Sequence, residues 1–233
     1  MNWQRTTLAV LGAAGCMSSV VAPATWAQAP TPAPTSPTRQ PDPRTDTGPI
    51  IRPAVQVGDE WTYRRAAGTA SGMVRQSVVK VDEQGISLRT ETAGSPDSSI
   101  AVHDLAWGVL GSGFNTYRPA LAYYAFPLYS GRRWGIDSTV SNFGAGQEGR
   151  MKGEGRAVGW EEVAVPAGRF MAMRIELDIE TVDPGEVTRK LSVRETHWYA
   201  RTVLRPVKVV TEISVAGEQA RSETVELLDY RIE

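Results

Sequence analysis

One stretch decides the fold class: Met171-Ala172-Met173-Arg174-Ile175-Glu176-Leu177-Asp178-Ile179-Glu180. Its large apolar residues occupy odd-numbered positions, and charged residues occupy the even-numbered positions from Arg174 onward. A strand points successive side chains to opposite faces of the sheet and so separates these two kinds of residue, whereas a helix would mix them around its surface. The alternation therefore predicts a β-strand with one apolar face and one solvated face.

The same alternation recurs towards the C-terminus, and short turn-forming sequences separate the alternating runs. Leu191 and Val193 alternate with Ser192 and Arg194, and the apolar residues of 207–215 alternate with Lys208, Glu212 and Ser214. The turns are Glu83-Gln84-Gly85, Asp183-Pro184-Gly185-Glu186 and Ala216-Gly217-Glu218. Only 103–110 could form a short helix or a turn. The pattern predicts a mainly β fold, a single antiparallel meander sheet of about ten strands curled into a half-open barrel to bury its apolar face.

The N-terminal residues 1–27 have the three parts of a secretory signal peptide. Arg5 precedes an apolar run, and small residues lead to a cleavage site predicted after Ala27. The run is shorter than the roughly 20 apolar residues of a membrane-spanning helix. An alternative is that Leu11-Gly12-Ala13-Ala14-Gly15-Cys16 acts as a lipobox, with Ala13 replacing the usual Leu. We therefore expect a periplasmic protein, free or lipid-anchored through Cys16.

Residues 28–54 are rich in proline and poor in large apolar residues, which predicts a disordered linker. Residues 55–233 are then one β-rich periplasmic domain of ordinary size. Cleavage after Ala27 would remove the only cysteine, so we expect this domain to fold without disulfides.

Charge and residue patterns argue against several function classes. The chain has 25 Lys and Arg against 26 Asp and Glu, without the basic excess that nucleic-acid binding requires. The two histidines, His103 and His197, lie in no metal-binding or catalytic motif, and no Gly-x-Ser-x-Gly elbow is present. We therefore expect no enzyme activity, no metal and no cofactor.

Four segments between 126 and 210 carry a family resemblance. They are Gly131-Arg132-Arg133-Trp134, then Glu162-Val163-Ala164-Val165-Pro166-Ala167-Gly168-Arg169-Phe170, and Trp198-Tyr199-Ala200 ahead of Val207-Lys208. In these segments the chain resembles the TapB-like and related uncharacterised bacterial envelope proteins. Ala200-Arg201 stands where those proteins usually have Ala-Pro. The resemblance implies a β-rich, partly open barrel outside the cytoplasm and no established activity.

The densest aromatic segment of the chain offers candidate ligand contacts. Its members are Tyr117, Tyr123, Tyr124, Phe126 and Tyr129, which could line the mouth of a barrel or simply pack the core. The first hypothesis is a non-enzymatic envelope module that binds or carries an apolar ligand or a protein segment. The alternative is a structural or assembly protein that acts through its surface on an envelope partner, and a hydrolase is a distant alternative.

Overall fold

A closed ring of strands forms the protein. A computed structural model describes residues 47–142, 147–182, 190–215 and 220–233. Within them, twelve antiparallel strands follow one another around a barrel, each beside its neighbours in sequence. The strands are β1 Glu60–Ala67, β2 Ala70–Asp82, β3 Gly85–Thr92, β4 Ser98–His103, β5 Val109–Ser112, β6 Asn115–Leu121, β7 Arg133–Asn142, β8 Gln147–Val165, β9 Gly168–Val182, β10 Lys190–Ala200, β11 Arg205–Val215 and β12 Arg221–Arg231. The predicted signal peptide, Cys16 and the linker up to 46 lie outside the described residues.

The prediction of a mainly β, antiparallel meander barrel is confirmed, and two details differ. The described residues form twelve strands rather than about ten, and the sheet closes because β1 pairs with β12 from Glu60↔Arg231 to Ala67↔Glu223. Arg64–Glu226 and Arg65–Glu223 ion pairs cross this seam at 2.7 and 2.6 Å. Closure leaves neither terminal strand with an unpaired edge, which an open sheet would expose.

The stretch that decided the fold class lies in β9, and its predicted alternation holds from Met173 onward. Met173, Ile175, Leu177 and Ile179 are buried inside the barrel. Before Met173 the buried positions change to Phe170 and Ala172. A register shift in β8 between Ala157 and Gly159 accompanies this change, because the hairpin bends where it leaves the barrel wall.

The β8–β9 hairpin extends beyond its neighbouring strands and closes one end of the barrel. Pairing of β8 with β7 stops at Arg156, and pairing of β9 with β10 stops at Met173. At the hairpin tip, the Ala167 backbone N–H donates to the Leu227 carbonyl at 3.0 Å. The Phe170 and Tyr230 rings lie 6.1 Å apart. We call this the capped end; the β2–β3, β4–β5, β6–β7 and β10–β11 connections lie there too.

The opposite end, where the β1–β2, β3–β4 and β5–β6 turns lie, is called the hairpin end.

Between the two ends, Gly155 on the inner face of β8 leaves room for the Trp134 ring of β7. A Cβ atom at Gly155 would lie 2.1 Å from Cε2 of Trp134. The Trp134 indole N–H donates to the Ala122 carbonyl at 3.1 Å, which ties the β6–β7 connection to the barrel interior.

Residues 47–54 were assigned to the predicted linker, and one of them lies in the core. Ile50 is 2% exposed and exchanges two backbone hydrogen bonds of 2.8 Å with Leu128. The domain boundary at 55 stays a prediction. Among the predicted turns, Glu83-Gln84-Gly85 joins β2 to β3, while 183–186 and 216–218 lie outside the described residues. The ambiguous 103–110 segment contains a turn between β4 and β5.

Candidate binding site

The aromatic segment predicted to contact a ligand divides between the barrel interior and the surface. Tyr117 and Tyr123 are buried in the core, Tyr124 and Phe126 pack against it, and Tyr129 is 46% exposed. The Tyr124 ring lies 5.8 Å from Phe126, and the Arg132 guanidinium lies 5.5 Å from the Tyr129 ring. The structure thus brings four of the five residues into or against one core cluster, and their role in ligand binding stays a prediction.

A buried chain of hydrogen bonds joins the β6–β7 connection to β10. His197 is 1% exposed and Glu195 is 0% exposed. The His197 Nε2 lies 2.7 Å from Glu195 Oε2, and its Nδ1 lies 2.8 Å from the Tyr124 hydroxyl. A carboxylate only accepts hydrogen bonds, so Nε2 carries the proton and the Tyr124 O–H donates to Nδ1. The chain fixes the aromatic connection against the barrel wall, because each group is satisfied only in this arrangement.

Arg205, at the start of β11, is the second buried charged group inside the barrel. It is 7% exposed, and its guanidinium lies 4.4 Å from the Trp107 ring and 5.4 Å from the Trp61 ring. One guanidinium N–H donates to Gln76 Oε1 at 2.9 Å. Within the described residues, no carboxylate lies within ion-pair distance of Arg205. A buried charge normally has such a partner, because moving a charged group from water into the protein interior without one costs free energy.

Three buried donors near Arg205 also lack partners within the described part of the chain. They are Arg205 Nε, Trp107 Nε1 and the Thr90 hydroxyl. Thr90 pairs directly with Gln76 across β2 and β3, so it lies beside the amide that accepts from Arg205. Buried polar atoms almost always have partners, which makes this cluster a candidate for binding something that accepts hydrogen bonds.

The backbone around Arg205 is held by hydrogen bonds from aromatic side chains. The Trp61 indole N–H donates to the Val203 carbonyl at 2.8 Å, and the Tyr199 hydroxyl donates to the Leu204 carbonyl at 2.6 Å. The Tyr63 hydroxyl donates to the carbonyl of Pro206, which follows Arg205, at 3.1 Å. Leu204 has a left-handed backbone with φ of 60°, which is unusual for a residue with a side chain. These hydrogen bonds hold the backbone on both sides of Arg205 and so fix the direction in which its side chain points.

The β4–β5 turn places Trp107 against Arg205 in a similarly constrained way. Trp107 has a φ of 64° and is buried. The Asp104 carboxylate accepts hydrogen bonds from the backbone N–H groups of Ala106 at 2.8 Å and Gly108 at 2.7 Å. A Cβ atom at Gly108 would lie 2.7 Å from Asp104 Oδ2, so a larger residue there would displace the carboxylate that holds the turn. The indole face is therefore presented to the guanidinium by a rigid turn.

Titratable groups around Arg205 are neutral at neutral pH. Burial raises the pKa of the Tyr63 and Tyr199 phenols, and the Arg205 charge offsets part of that rise. Burial, with the Arg205 charge adding to it, lowers the pKa of His103 to about 3. His103 lies against Trp107, with ring centroids 5.2 Å apart. Arg205 is thus the charged member of this group.

Sequence reasoning missed Glu195, His197 and Arg205 as interior residues, although a signal was present. Glu195 and His197 continue the odd-numbered face of Leu191 and Val193, and Arg205 continues the face of 207–215. Extending the alternation would have placed all three on the apolar face, where charged side chains are rare unless they have a role.

The described ranges contain neither a cluster of metal-ligating side chains nor a membrane-spanning helix. Residues 47–142, 147–182, 190–215 and 220–233 contain no group of three or more His, Cys, Asp or Glu arranged to hold a metal ion. No helix in these ranges has the length and apolar character needed to cross a membrane.

Three solved structures are similar to this chain. A predicted exported protein with YmcC-like fold from Bacteroides fragilis NCTC 9343 has a TM-score of 0.50 at 13% identity, covering 79% of this chain and 99% of its own. A predicted lipoprotein from Parabacteroides distasonis ATCC 8503 has a TM-score of 0.49 at 12% identity, and the match covers 78% of this chain and 97% of that protein. The hypothetical lipoprotein YmcC from Escherichia coli K12 has a TM-score of 0.43 at 11% identity, and the match covers 73% of this chain and 84% of that protein.

The likeness to the Bacteroides fragilis protein shows a shared fold. No protein-family model matches the chain, and no curated protein matches it in sequence. Membership of the TapB-like family therefore stays a prediction from the residues quoted above.

Proposed function

We propose that this chain is an exported, non-enzymatic binding module of the bacterial envelope, which holds an apolar or amphipathic ligand inside its barrel. The observation that carries the proposal is the difference between the two ends. At the capped end, the interior is filled by connections and large aromatic side chains. At the hairpin end, inward-facing apolar residues stay partly exposed; they are Val140, Leu191, Ile213 and Val225.

The size of the ring supports an internal site. A barrel of about eight strands is just wide enough for its own side chains to fill, and diameter grows with strand number. Twelve strands enclose a wider interior. The β6–β7 connection and Trp107 fill it towards the capped end, which leaves the hairpin end as the side from which a ligand would enter.

Location outside the cytoplasm rests on the predicted signal peptide of 1–27. The three proteins of similar fold are described as exported proteins or lipoproteins, which is compatible with that proposal. Lipidation of Cys16 would hold the same barrel at a membrane surface, within reach of lipid-derived ligands.

A matched pair of variants tests the proposal with dodecanol, an uncharged amphiphile. Ile213→Lys adds a charge to the inner face at the hairpin end, and Ser214→Lys adds the same charge to the exposed outer face one residue later. We expect calorimetric titration to show dodecanol binding by the wild type and by Ser214→Lys, and weaker binding by Ile213→Lys. Absence of dodecanol binding by the wild type would refute an internal apolar site.

Native mass spectrometry of the domain purified from its own envelope complements the titration. We expect a mass increment that matches a lipid or another small amphiphile. A stable stoichiometric complex with one envelope protein and no small molecule would instead support the structural or assembly alternative.

A further inference from the structure

We propose that Arg205 binds the carboxylate of a single-chain amphiphile, so that the ligand of the proposed internal site is a fatty acid or a related carboxylic acid. The inference rests on the proposed function, and it adds the chemistry of the ligand's head group. It starts from a guanidinium that is buried, oriented by its surroundings and without an anionic partner among the described residues.

Gln76 Oε1 accepts from one guanidinium N–H of Arg205, and other donors of the cluster have no acceptor among the described residues. Arg205 Nε and Trp107 Nε1 both point hydrogens into buried surroundings where the described residues provide no partner. A carboxylate has two oxygens and accepts paired hydrogen bonds from a guanidinium in a geometry that few other groups match. Such a ligand would satisfy these donors and compensate the buried charge together.

The charge of the cluster favours a monoanion. Arg205 contributes one positive charge, whereas Tyr63, Tyr199 and His103 are neutral at neutral pH because burial opposes their charged forms. A carboxylate neutralises this single charge. A phosphate dianion would leave an excess negative charge in an interior of low dielectric, which is unfavourable.

The position of Arg205 suits an amphiphile that enters from the opposite end. Arg205 lies at the capped end of β11, and the inward-facing Ile213 lies on the same strand towards the hairpin end. At about 3.3 Å per residue, these two residues are roughly 26 Å apart. Val207, Val209 and Thr211 line the inner face between them, and the two valines would give an alkyl chain running from Arg205 apolar contacts.

The test compares laurate with dodecanol, which share one alkyl chain and differ in the head group. We expect the wild-type full domain to bind laurate about tenfold or more tightly than dodecanol, because a charge-assisted hydrogen bond favours the acid. Arg205→Met should remove this preference while dodecanol binding persists. Arg194→Met makes the same substitution at an exposed outer position, with 64% of the side chain accessible, and should keep the preference.

The outcomes separate the two proposals. Equal binding of laurate and dodecanol by the wild type would overturn the carboxylate site and leave the apolar site standing. Binding of neither compound would overturn both. If Arg205→Met does not fold, the wild-type preference still decides, and Arg205→Lys, which keeps the charge and loses the planar fork, should retain part of it. A preference that Arg205→Met leaves unchanged would overturn the assignment of Arg205.

Discussion

The two ends of the barrel are built from the same strands and differ in what fills them. At the capped end, Trp61, Trp107, Tyr199 and Leu128 are almost completely buried. At the hairpin end, several inward-facing residues such as Leu191 and Val140 are only partly buried, although Tyr117, which pairs with Val140, is buried. Since burial of large side chains supplies most of the stabilisation, the capped end should account for folding stability while the hairpin end stays available for binding.

The largest effect should come from a large-to-small substitution at the capped end. Trp61→Ala removes a fully buried indole, its hydrogen bond to the Val203 carbonyl and its contact with Trp107. We expect the free energy of unfolding to fall by about 3–5 kcal/mol. Leu191→Ala at the hairpin end should cost about 1 kcal/mol, because this side chain is partly exposed already. Urea unfolding of both variants measures the contrast, and equal losses would contradict it.

Acid should reveal the partly buried His103 imidazole at the capped end. His103 has a folded pKa of about 3 against an ordinary value of 6.5, so the unfolded chain binds a proton that the folded protein excludes. Its contribution to stability is therefore complete above pH 6.5 and is lost as the pH falls towards 3.

We accordingly expect His103→Gln to show a shallower loss of unfolding free energy than the wild type over that interval. Both proteins should have similar pH dependence at pH 7–8. Urea unfolding at a series of pH values gives the two curves. Parallel curves across the acidic interval would rule out His103 as the excluded proton site.

A smaller effect is expected from the chain that links the aromatic connection to β10. Tyr124→Phe removes the hydroxyl that donates to His197 and leaves a buried ring nitrogen without its partner. We expect a loss of about 1–2 kcal/mol in unfolding free energy. Tyr129→Phe, at an exposed tyrosine of the same segment, is the matched control and should be neutral. A neutral Tyr124→Phe would mean that the hydroxyl bond does not stabilise the capped end.

The smallest contrast concerns ion pairs. Arg65 lies on the inner face at the hairpin end and makes two hydrogen bonds of 2.6 Å to Glu223 across the β1–β12 seam. Arg65→Met should cost about 1 kcal/mol of unfolding free energy. Arg150 makes a similar paired contact with Asp137 on the exposed outer face, and Arg150→Met should give no measurable change in denaturant midpoint. A larger loss for Arg150→Met would reverse the expected order.

Local patterns predicted the strands well because alternation depends only on neighbouring residues. They could not predict closure, since the Arg64–Glu226 contact joins residues 162 positions apart. The switch of buried face at Ala172 was also missed, because it depends on the hairpin tip bending over the capped end. Both differences arise from tertiary contacts, which override a local pattern.

The residues of the candidate site were predicted only in part, again because tertiary contacts determine which of them lie together. Aromatic density pointed to Tyr123 and Tyr124, which do lie beside the buried polar groups. Arg205 was missed because charge normally marks a solvated position, and only its place in the alternation of β11 indicated otherwise. Its setting between Trp61 and Trp107 joins three segments far apart in the sequence.

The seam between β1 and β12 makes closure of the barrel depend on two strands at opposite ends of the domain sequence. Strand β12, Arg221–Arg231, is the last of the twelve described strands, and β1 has no partner on that side until β12 pairs with it. Until then both β1 and β11 present unpaired backbone groups, which can recruit other chains. Closure of the ring is therefore completed by β12, and a chain truncated before 221 would leave two unpaired sheet edges in place of a ring.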